Sequence, residues 1–476
     1  MNKLSLSKTI CLVCIGFAVE AVGSPAQTFK SLVTFNGTDG EFPVASLVQG
    51  SNGNFYGATA GGGSSNSGTA FKITPAGKLN IVHNFCDAAK CTDGGVPDQL
   101  VLATDGNFYG TTHQGGSNTS GTVFQLTPKG KLTTLYSFCS RTNCADGALP
   151  VAGLVQARDG NFYGTTVYGG NRSACNGNGC GTVFKITSKG KLTTLHNFAG
   201  MDGSFAYAGL IQAKDGNFYG TTYNGGANGP GTVFKITPSG ELVTLYSFCS
   251  QSNCTDGSGP MGGLVQATNG NFYGTTFFGG INGAGTVFEI TPEGQLTSIF
   301  SFDNSDGSSP IAGLVQATDE MFYGTTSYGG ANAYGTAFKI TPAGGLTTLY
   351  SFCSLTNCAD GAYPYAGLVQ ATDGTFYGAT DGQSVNDGTV FNLSVGLGPF
   401  VHTIPSSGKV GQAVMILGNN LKGTTRVTFN GTAASFTLVS GTEIKTFVPS
   451  GATTGFVRVA APKKKLKSNV IFRMTK

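Results

Sequence analysis

The chain has four histidines, and only one stands where it could act as a catalytic base. His83 and His196 each replace the Tyr of an outer strand and read as structural, while His402 falls in the C-terminal segment. His113 sits at a loop and could take a proton, with Asp381 two repeats away around the array as its carboxylate. No Ser/His/Asp spacing for a nucleophilic triad is evident. Sialidase-type chemistry would want an arginine cluster, whereas residues 28–396 carry only Arg141, Arg158 and Arg172. The Gly-x-Gly-x-Gly at Gly177 resembles a phosphate loop, but no helix follows it to supply a binding N-terminus. Seven Asp-Gly steps recur at Asp39, Asp93, Asp146, Asp202, Asp256, Asp306 and Asp360. A reacting site needs broken symmetry, so these read as turn-capping carboxylates, with a ring of cation ligands as the sharper alternative.

A better asymmetry is aromatic. After each Gly-Thr-Thr or Gly-Ala-Thr, two positions lead into a loop. In repeats three to six they include Tyr168, Tyr223, Phe277, Phe278 and Tyr328. In repeats one, two and seven the same positions hold Ala60-Gly61, His113-Gln114 and Asp381-Gly382. Exposed aromatics can stack on sugar rings or anchor a peptide. The plainer reading is that these rings pack under their own loops.

Ten cysteines follow the N-terminal leader, in five C-x₄-C pairs: Cys86/Cys91, Cys139/Cys144, Cys175/Cys180, Cys249/Cys254 and Cys353/Cys358. Four pairs lie between one repeat's last strand and the next repeat. There, the step from Phe to Asp-Gly lengthens from four residues (Phe198 to Asp202) to eight (Phe138 to Asp146) whenever the cysteines are present. A loop clipped by its own disulfide explains both arriving together, each closure being worth roughly 2 kcal/mol. Zinc would need ligands from more than one pair, so no metal is expected.

The elements that position these residues are set by a repeat. Phe-Tyr-Gly recurs at Phe55, Phe108, Phe162, Phe218, Phe272, Phe322 and Phe376, spaced 53, 54, 56, 54, 50 and 54 residues apart. Each unit holds four apolar stretches, separated by an Asp-Gly hairpin turn, a Gly-rich loop and a Pro-x-Gly turn. Four antiparallel strands at this period make a propeller blade. The seventh unit stops after Gly388-Thr389-Val390-Phe391, one strand short, and a matching Leu32-Val33-Thr34-Phe35 stands alone before the first unit. A solenoid has no reason to place its missing strand at the far end; a closed ring does. The expected fold is therefore all-β, a seven-bladed β-propeller over 28–396 closed by its N-terminal strand. The Phe-Tyr pairs become blade-to-blade core, and the following Gly permits close backbone approach. Strand order gathers the cysteines, the Gly-rich loops and the aromatic positions on one loop face, leaving only tight turns on the other. The lack of Trp argues against a quinone cofactor, and no cofactor is expected.

Residues 1–26 have the layout of a cleaved signal peptide, with Lys3 and Lys8, an apolar run from Thr9 to Val19, and small residues at Gly23 to Ala26. No later stretch is long enough to span a bilayer. Net charge is +4, but from Leu397 onward eleven Lys or Arg face one acid, Glu443, giving +10 and leaving −6 for the rest. Lys463, Lys464, Lys465 and Lys467 are expected at a hairpin tip, as a solvated basic turn or a contact for anionic surface polymer.

Residues 397–476 carry Pro405, Gly408, Val414–Gly418, Val427-Thr428-Phe429-Asn430-Gly431, Val448-Pro449 and Val457–Ala460, a pattern that resembles the IPT/TIG domain. That resemblance implies an immunoglobulin-like β-sandwich serving as spacer or interaction module. The repeat consensus, Gly-Leu-Val-Gln-Ala…Asn-Phe-Tyr-Gly-Thr-Thr…Gly-Thr-Val-Phe-Lys-Ile-Thr, resembles the Gloeobacter–Verrucomicrobia extracellular tandem repeat over residues 28–394. It implies a secreted or cell-surface bacterial protein and brings no catalytic residues with it. The resulting expectation is a monomeric, non-catalytic binding or adhesion protein, extracellular, periplasmic or at the cell surface. Its partner would be a polysaccharide, cell-envelope polymer or protein, and not nucleic acid. A secreted polysaccharide lyase or glycosidase, or a purely structural envelope role, are the alternatives.

Overall fold

The computed structural model describes residues 27–383, 385–462 and 464–475. The expected signal peptide and Lys463 lie outside them. Each Phe-Tyr-Gly segment is the second strand of a four-stranded antiparallel sheet. In repeat four the strands are Ile211–Gln212, Phe218–Thr222, Thr232–Ile236 and Leu242–Ser247, lying side by side in that order. The Asp215-Gly216 turn that starts it needs a left-handed residue, met by Gly216 at φ +89°, while Asp215 Oδ1 accepts the Asn217 N–H at 3.0 Å. Among the described residues seven such sheets occur, the second with one extra strand, Gly95–Pro97.

The seventh sheet takes Val369–Gln370, Phe376–Thr380 and Thr389–Ser394 from its own repeat, and its fourth strand is Thr28–Thr34. Thr28–Thr34 runs antiparallel to Thr389–Ser394, with a register shift that skips Leu32. The fourth strand of repeat four skips Leu245 in the same way, so the N-terminal segment is a full structural equivalent of the strand its sheet lacks.

Neighbouring sheets meet through aromatic stacks. Tyr56 lies on Phe108, Tyr109 on Phe162, Tyr163 on Phe218, Tyr219 on Phe272, Tyr273 on Phe322 and Tyr323 on Phe376, with centroids 4.0–4.2 Å apart. Tyr377 of the last sheet then stacks on Phe55 of the first at 3.9 Å, which brings the series back to its start. These rings are fully buried, each stack adding about 0.5–1.5 kcal/mol beyond the area it buries. A second set of latches runs between the innermost strands. Gln156, Gln212, Gln266, Gln316 and Gln370 each accept, at Oε1, a backbone N–H from the preceding sheet, and Gln49 accepts that of Thr372 from the last. The architecture is a propeller-like array of repeated four-stranded sheets. The glycine of Phe-Tyr-Gly serves side chains more than backbone: a Cβ on Gly220 would stand 2.7 Å from Phe234 and 2.8 Å from Leu210.

Beyond the array two further sheets form. One orders His402–Ile404, Ala413–Leu417, Glu443–Phe447 and Phe436–Leu438; the other holds Ser407–Gly408, Lys464–Met474, Gly455–Ala461, Arg426–Phe429 and Thr432–Ala434. They share one apolar core, in which Ile416 and Ile444 of the first meet Phe429, Val457, Leu466 and Phe472 of the second.

This unit sits on the tight-turn face, which corrects the expectation that nothing but turns lies there. Met415 and Leu417 are buried with Leu102, Phe108 and Tyr56, and Thr442 Oγ1 donates to the Ser51 carbonyl at 2.8 Å. Repeat two puts Leu102 where the six others have the latch glutamine, so the one break in that series is where apolar residues of the C-terminal unit arrive.

Candidate functional site

The two kinds of loop do share a face. Gly226 N–H bonds the Gly200 carbonyl at 2.8 Å, Gly116 that of Cys91 at 2.8 Å and Gly280 that of Cys254 at 2.9 Å. All five expected disulfides are present: Cys86–Cys91, Cys139–Cys144, Cys175–Cys180, Cys249–Cys254 and Cys353–Cys358.

Cys144, Cys180 and Cys358 are buried beneath that shared face. The Cys144 carbonyl accepts the N–H groups of Gly147 and Gly170, both at 2.9 Å, which holds the residue under the Gly-rich loop of repeat three. Cys358 is held in the same way, its carbonyl accepting from Gly361 N at 2.8 Å and Asn386 Nδ2 at 3.1 Å. Cys180 lies two residues before the strand Thr182–Ile186 begins and packs with Val183, Phe198 and Ala206 in the core between repeats three and four. These three sulfurs are thus small apolar core groups that tie the loops down, and they offer no surface to a ligand.

The recurring aspartates act as caps. Buried Asp256 accepts from Tyr246 Oη at 2.8 Å, Ser250 N at 2.9 Å, Ser250 Oγ at 3.0 Å and Gln251 N at 3.3 Å, and Asp146 and Asp360 repeat the pattern. In these three the lone pairs are spent on the loop, as turn-capping carboxylates require, whereas Asp93 keeps a buried Oδ1 without a partner among the described residues. His83 and His196 replace that tyrosine and reach Asp93 at 3.3 Å and Asp202 at 2.7 Å, the structural role expected of them.

One backbone device recurs beside the candidate residues. Phe42, Val96, Leu149, Phe205, Gly259, Ser309 and Tyr363, equivalent in the seven repeats, all have φ between +54° and +61°. Six of them are not glycine, at about 1 kcal/mol or more of strain each. In six repeats the carbonyl of this residue accepts the N–H that follows Thr-Thr or Ala-Thr, as with Tyr223 to Phe205 at 3.0 Å and Asp381 to Tyr363 at 2.9 Å. Tyr223, Phe277 and Asp381 are thereby anchored directly to a strained series around the loop face, while Tyr168, Phe278 and Tyr328 follow such an anchored position and bond Ala148, Ser258 and Ser308.

The predicted aromatics occupy that face in succession; Tyr168, Tyr223 and Tyr328 pack on lead-in segments, and Phe277 packs on its neighbour Phe278. Tyr168 meets Phe205 edge-on at 5.4 Å, and Tyr223 meets Tyr207 at 5.6 Å. Tyr223 also fills the space a Cβ on Gly259 would take. Phe277 is half-buried against Phe278, which is 46% exposed, and Ile281 in the same loop is 79% exposed. Tyr328 Oη bonds Tyr365 Oη at 2.9 Å, Gln383 donates to Tyr365, and Tyr363 lies edge-on to Tyr328 at 5.4 Å.

The expected partners His113 and Asp381 share no ion pair among the described residues. Burial lowers the His113 pKa and burial raises that of Asp381 to about 6, neither being moved by the other's charge. Asp381 is instead buried beside Tyr365, whose hydroxyl is raised by burial, by Tyr328 and by the nearby carboxylate. Asp381 Oδ1 has no hydrogen-bond partner among the described residues. Asp98 is a second such carboxyl, raised well above the usual range by burial, with Oδ2 unpartnered. Repeat two runs from Pro97 to Leu100 in one residue fewer than repeat three from Pro150 to Leu154. Asp98 falls in that shortened stretch, the one signal by which the sequence marks it.

Two clefts lie on the opposite face, under the C-terminal unit. One of about 680 Å³ includes Lys214, Phe456 and Arg473, and one of about 600 Å³ includes Gln156, Gln370 and His402. His402 is half-buried, its Nδ1 3.1 Å from Asn469 Oδ1, and desolvation holds its pKa below the usual value. Among the described residues no helix is long and apolar enough to cross a membrane.

A family model described as the Gloeobacter/Verrucomicrobia repeat matches residues 20–214, 88–255 and 211–439. No curated protein matches the chain. Among solved structures, virginiamycin B lyase from Staphylococcus aureus superposes with a TM-score of 0.52 at 15% identity, over 78% of this chain and 99% of that one. The extracellular domain of a one-component system from B. thetaiotaomicron gives 0.50 at 12% identity, over 95% of this chain and 58% of that one. This chain therefore spans little more than half of the second structure, and at such identities the likeness is one of fold.

Proposed function

We propose that this chain, which belongs to the Gloeobacter/Verrucomicrobia repeat family, is an exported, non-catalytic binding protein. Residues 1–26 are its cleaved signal peptide, 28–396 a closed seven-bladed β-propeller, and 397–476 an IPT/TIG β-sandwich. Its binding surface is the loop face of repeats three to six, and its ligand a carbohydrate of a cell envelope or matrix. The observation that carries this reading is the unbroken succession Tyr168, Tyr223, Phe277/Phe278 and Tyr328 on a rigid, disulfide-clipped rim, with Phe278 and Ile281 exposed at its centre. Ring faces held in place by neighbouring rings lose little entropy when a sugar stacks on them. Five disulfides favour an oxidising compartment, extracellular or periplasmic.

A second reading, a polysaccharide-active enzyme, is favoured by Asp98 and Asp381. These are two non-equivalent carboxyls, Asp381 buried and Asp98 half-buried with its Oδ2 shielded from solvent, and both have raised pKa values, as a general acid requires. Paired glycosidase carboxyls stand roughly 5–9 Å apart and feel each other's charge. Burial alone raises these two, so the binding reading is preferred. Glycan-array binding of the mature protein, with product analysis by mass, separates the two readings. Retained glycan of unchanged mass, lost in Y168A/Y223A/F278A/Y328A, supports a binding module. Shortened products abolished by D381N or D98N would replace it with an enzyme.

A further inference from the structure

The larger of the clefts beneath the C-terminal sandwich has a strongly one-signed wall. Arg158 and Lys214 reach it from repeats three and four, Lys465, Lys467 and Arg473 from the strand Lys464–Met474, and Glu320 is the one acid among its lining residues. None of the five cations belongs to an ion pair among the described residues.

The repeat itself does not require the two propeller cations. Their position follows the latch glutamine by two and reads Ser51, Thr104, Arg158, Lys214, Thr268, Thr318 and Thr372 in the seven repeats. Its structural task is met by the backbone N–H, which bonds the next sheet's glutamine in Thr104, Arg158, Lys214, Thr268, Thr318 and Thr372 alike. The side chain is thus free to vary, and it is basic only in the two adjacent repeats that share this cleft with Arg473.

Both are held rigidly. Arg158 Nη2 donates to the Ala213 carbonyl at 2.9 Å, and Lys214 Nζ to those of Ala267 at 2.9 Å and Thr268 at 3.0 Å. The cations also press on one another. Burial and then the Arg473 charge lower Lys214, while burial and then the Arg158 charge lower Arg473. An anion entering here relieves both terms. Beside the cations stands Phe456, with Lys467 Nζ 4.4 Å from its ring centroid, giving the cleft an apolar wall that a bare inorganic ion has no use for. The volume, about 680 Å³, is that of a site for a small oligomer.

We propose that this cleft binds a segment of an anionic glycan, its carboxylate or phosphate groups on Arg158, Lys214, Lys465 and Arg473 and its sugar body along Phe456. The site is independent of the loop face and makes the last strand a contributor to binding rather than a solvated basic turn.

The test uses the mature full chain and thermophoresis with four probes of similar length: an oligogalacturonate and a glycerol-phosphate oligomer as the anionic probes, a neutral glucan and a single-stranded oligonucleotide as controls. The expected result is binding of one or both anionic probes and not the glucan, weakening at least tenfold between about 50 and about 500 mM salt. K214Q/R473Q is expected to lose at least tenfold in affinity and Y168A/Y223A/F278A/Y328A none, and the preferred anionic probe identifies the charged group. Should K214Q/R473Q lower the thermal midpoint, K465Q/K467Q, at exposed positions, carries the same expectation. Failure of both anionic probes, unchanged affinity in the folded cation variants, or tighter binding of a single-stranded oligonucleotide would overturn the proposal.

Discussion

Replacing Asp381 by Asn removes a charge the fold has to bury. The side chain is 6% exposed, its Oδ1 has no partner among the described residues, and burial raises its pKa from 3.8 to about 6. A raised carboxyl works against the fold as pH climbs. Well below 3.8 the group is protonated folded and unfolded and costs nothing; above about 6 it is ionised in both, and the folded state carries the full penalty. At about 1.4 kcal/mol per factor of ten, that penalty approaches 3 kcal/mol by pH 8 and is under about 1 kcal/mol at pH 4. Asn carries none of it at either pH. Urea denaturation of wild type and D381N, disulfides intact, should therefore show the variant's relative stability rising by about 2 kcal/mol between pH 4 and pH 8. A constant offset from packing or lost polarity cancels in that difference. An equal gap at both pH values, or a variant that loses ground at pH 8, would refute the reasoning.

Other perturbations test the packing. Gly220→Ala forces a methyl against Phe234 and Leu210 and should cost about 1–3 kcal/mol in denaturant, with no change in which glycans bind. Leu102→Gln restores the repeat's usual residue but puts an amide among Met415 and Leu417. It should cost about 1–3 kcal/mol and make the C-terminal unit selectively sensitive to limited proteolysis. Removing one clip with C249S/C254S should cost roughly 2 kcal/mol, read as a lower denaturation midpoint.

Features that recur or close locally were legible in the sequence. The Phe-Tyr core follows from seven copies of one motif, the disulfides from an insertion that always accompanies its cysteine pair, and the closing strand from Leu32-Val33-Thr34-Phe35 standing where no other role exists for it. Features created by single departures from the repeat, or by loops that meet only in space, were not. The spacing pairs Cys144 with Cys139 and Cys358 with Cys353, but their burial depends on Gly170 and Asn386, more than 20 positions further on. Leu102 differs from the consensus by one residue, and only the arrival of Met415 and Leu417 from more than 300 positions away gives it a purpose. Tyr365 and Gln383 gain their part from meeting Tyr328 across two repeats. The left-handed ring left a trace in Phe42-Pro43, Val96-Pro97, Leu149-Pro150 and Tyr363-Pro364, but a proline fixes its own φ and only biases its neighbour.

The loop face exists as one surface only if repeats seven and one are joined through Thr28–Thr34. Hydrogen exchange of the intact mature chain, read by mass spectrometry on the peptide covering residues 28–35, tests that join directly. Amides of this peptide should exchange as slowly as those of Thr389–Ser394 and open only with global unfolding. Exchange within seconds there, while the seven Phe-Tyr strands stay protected, would mean that the first segment does not seal the ring.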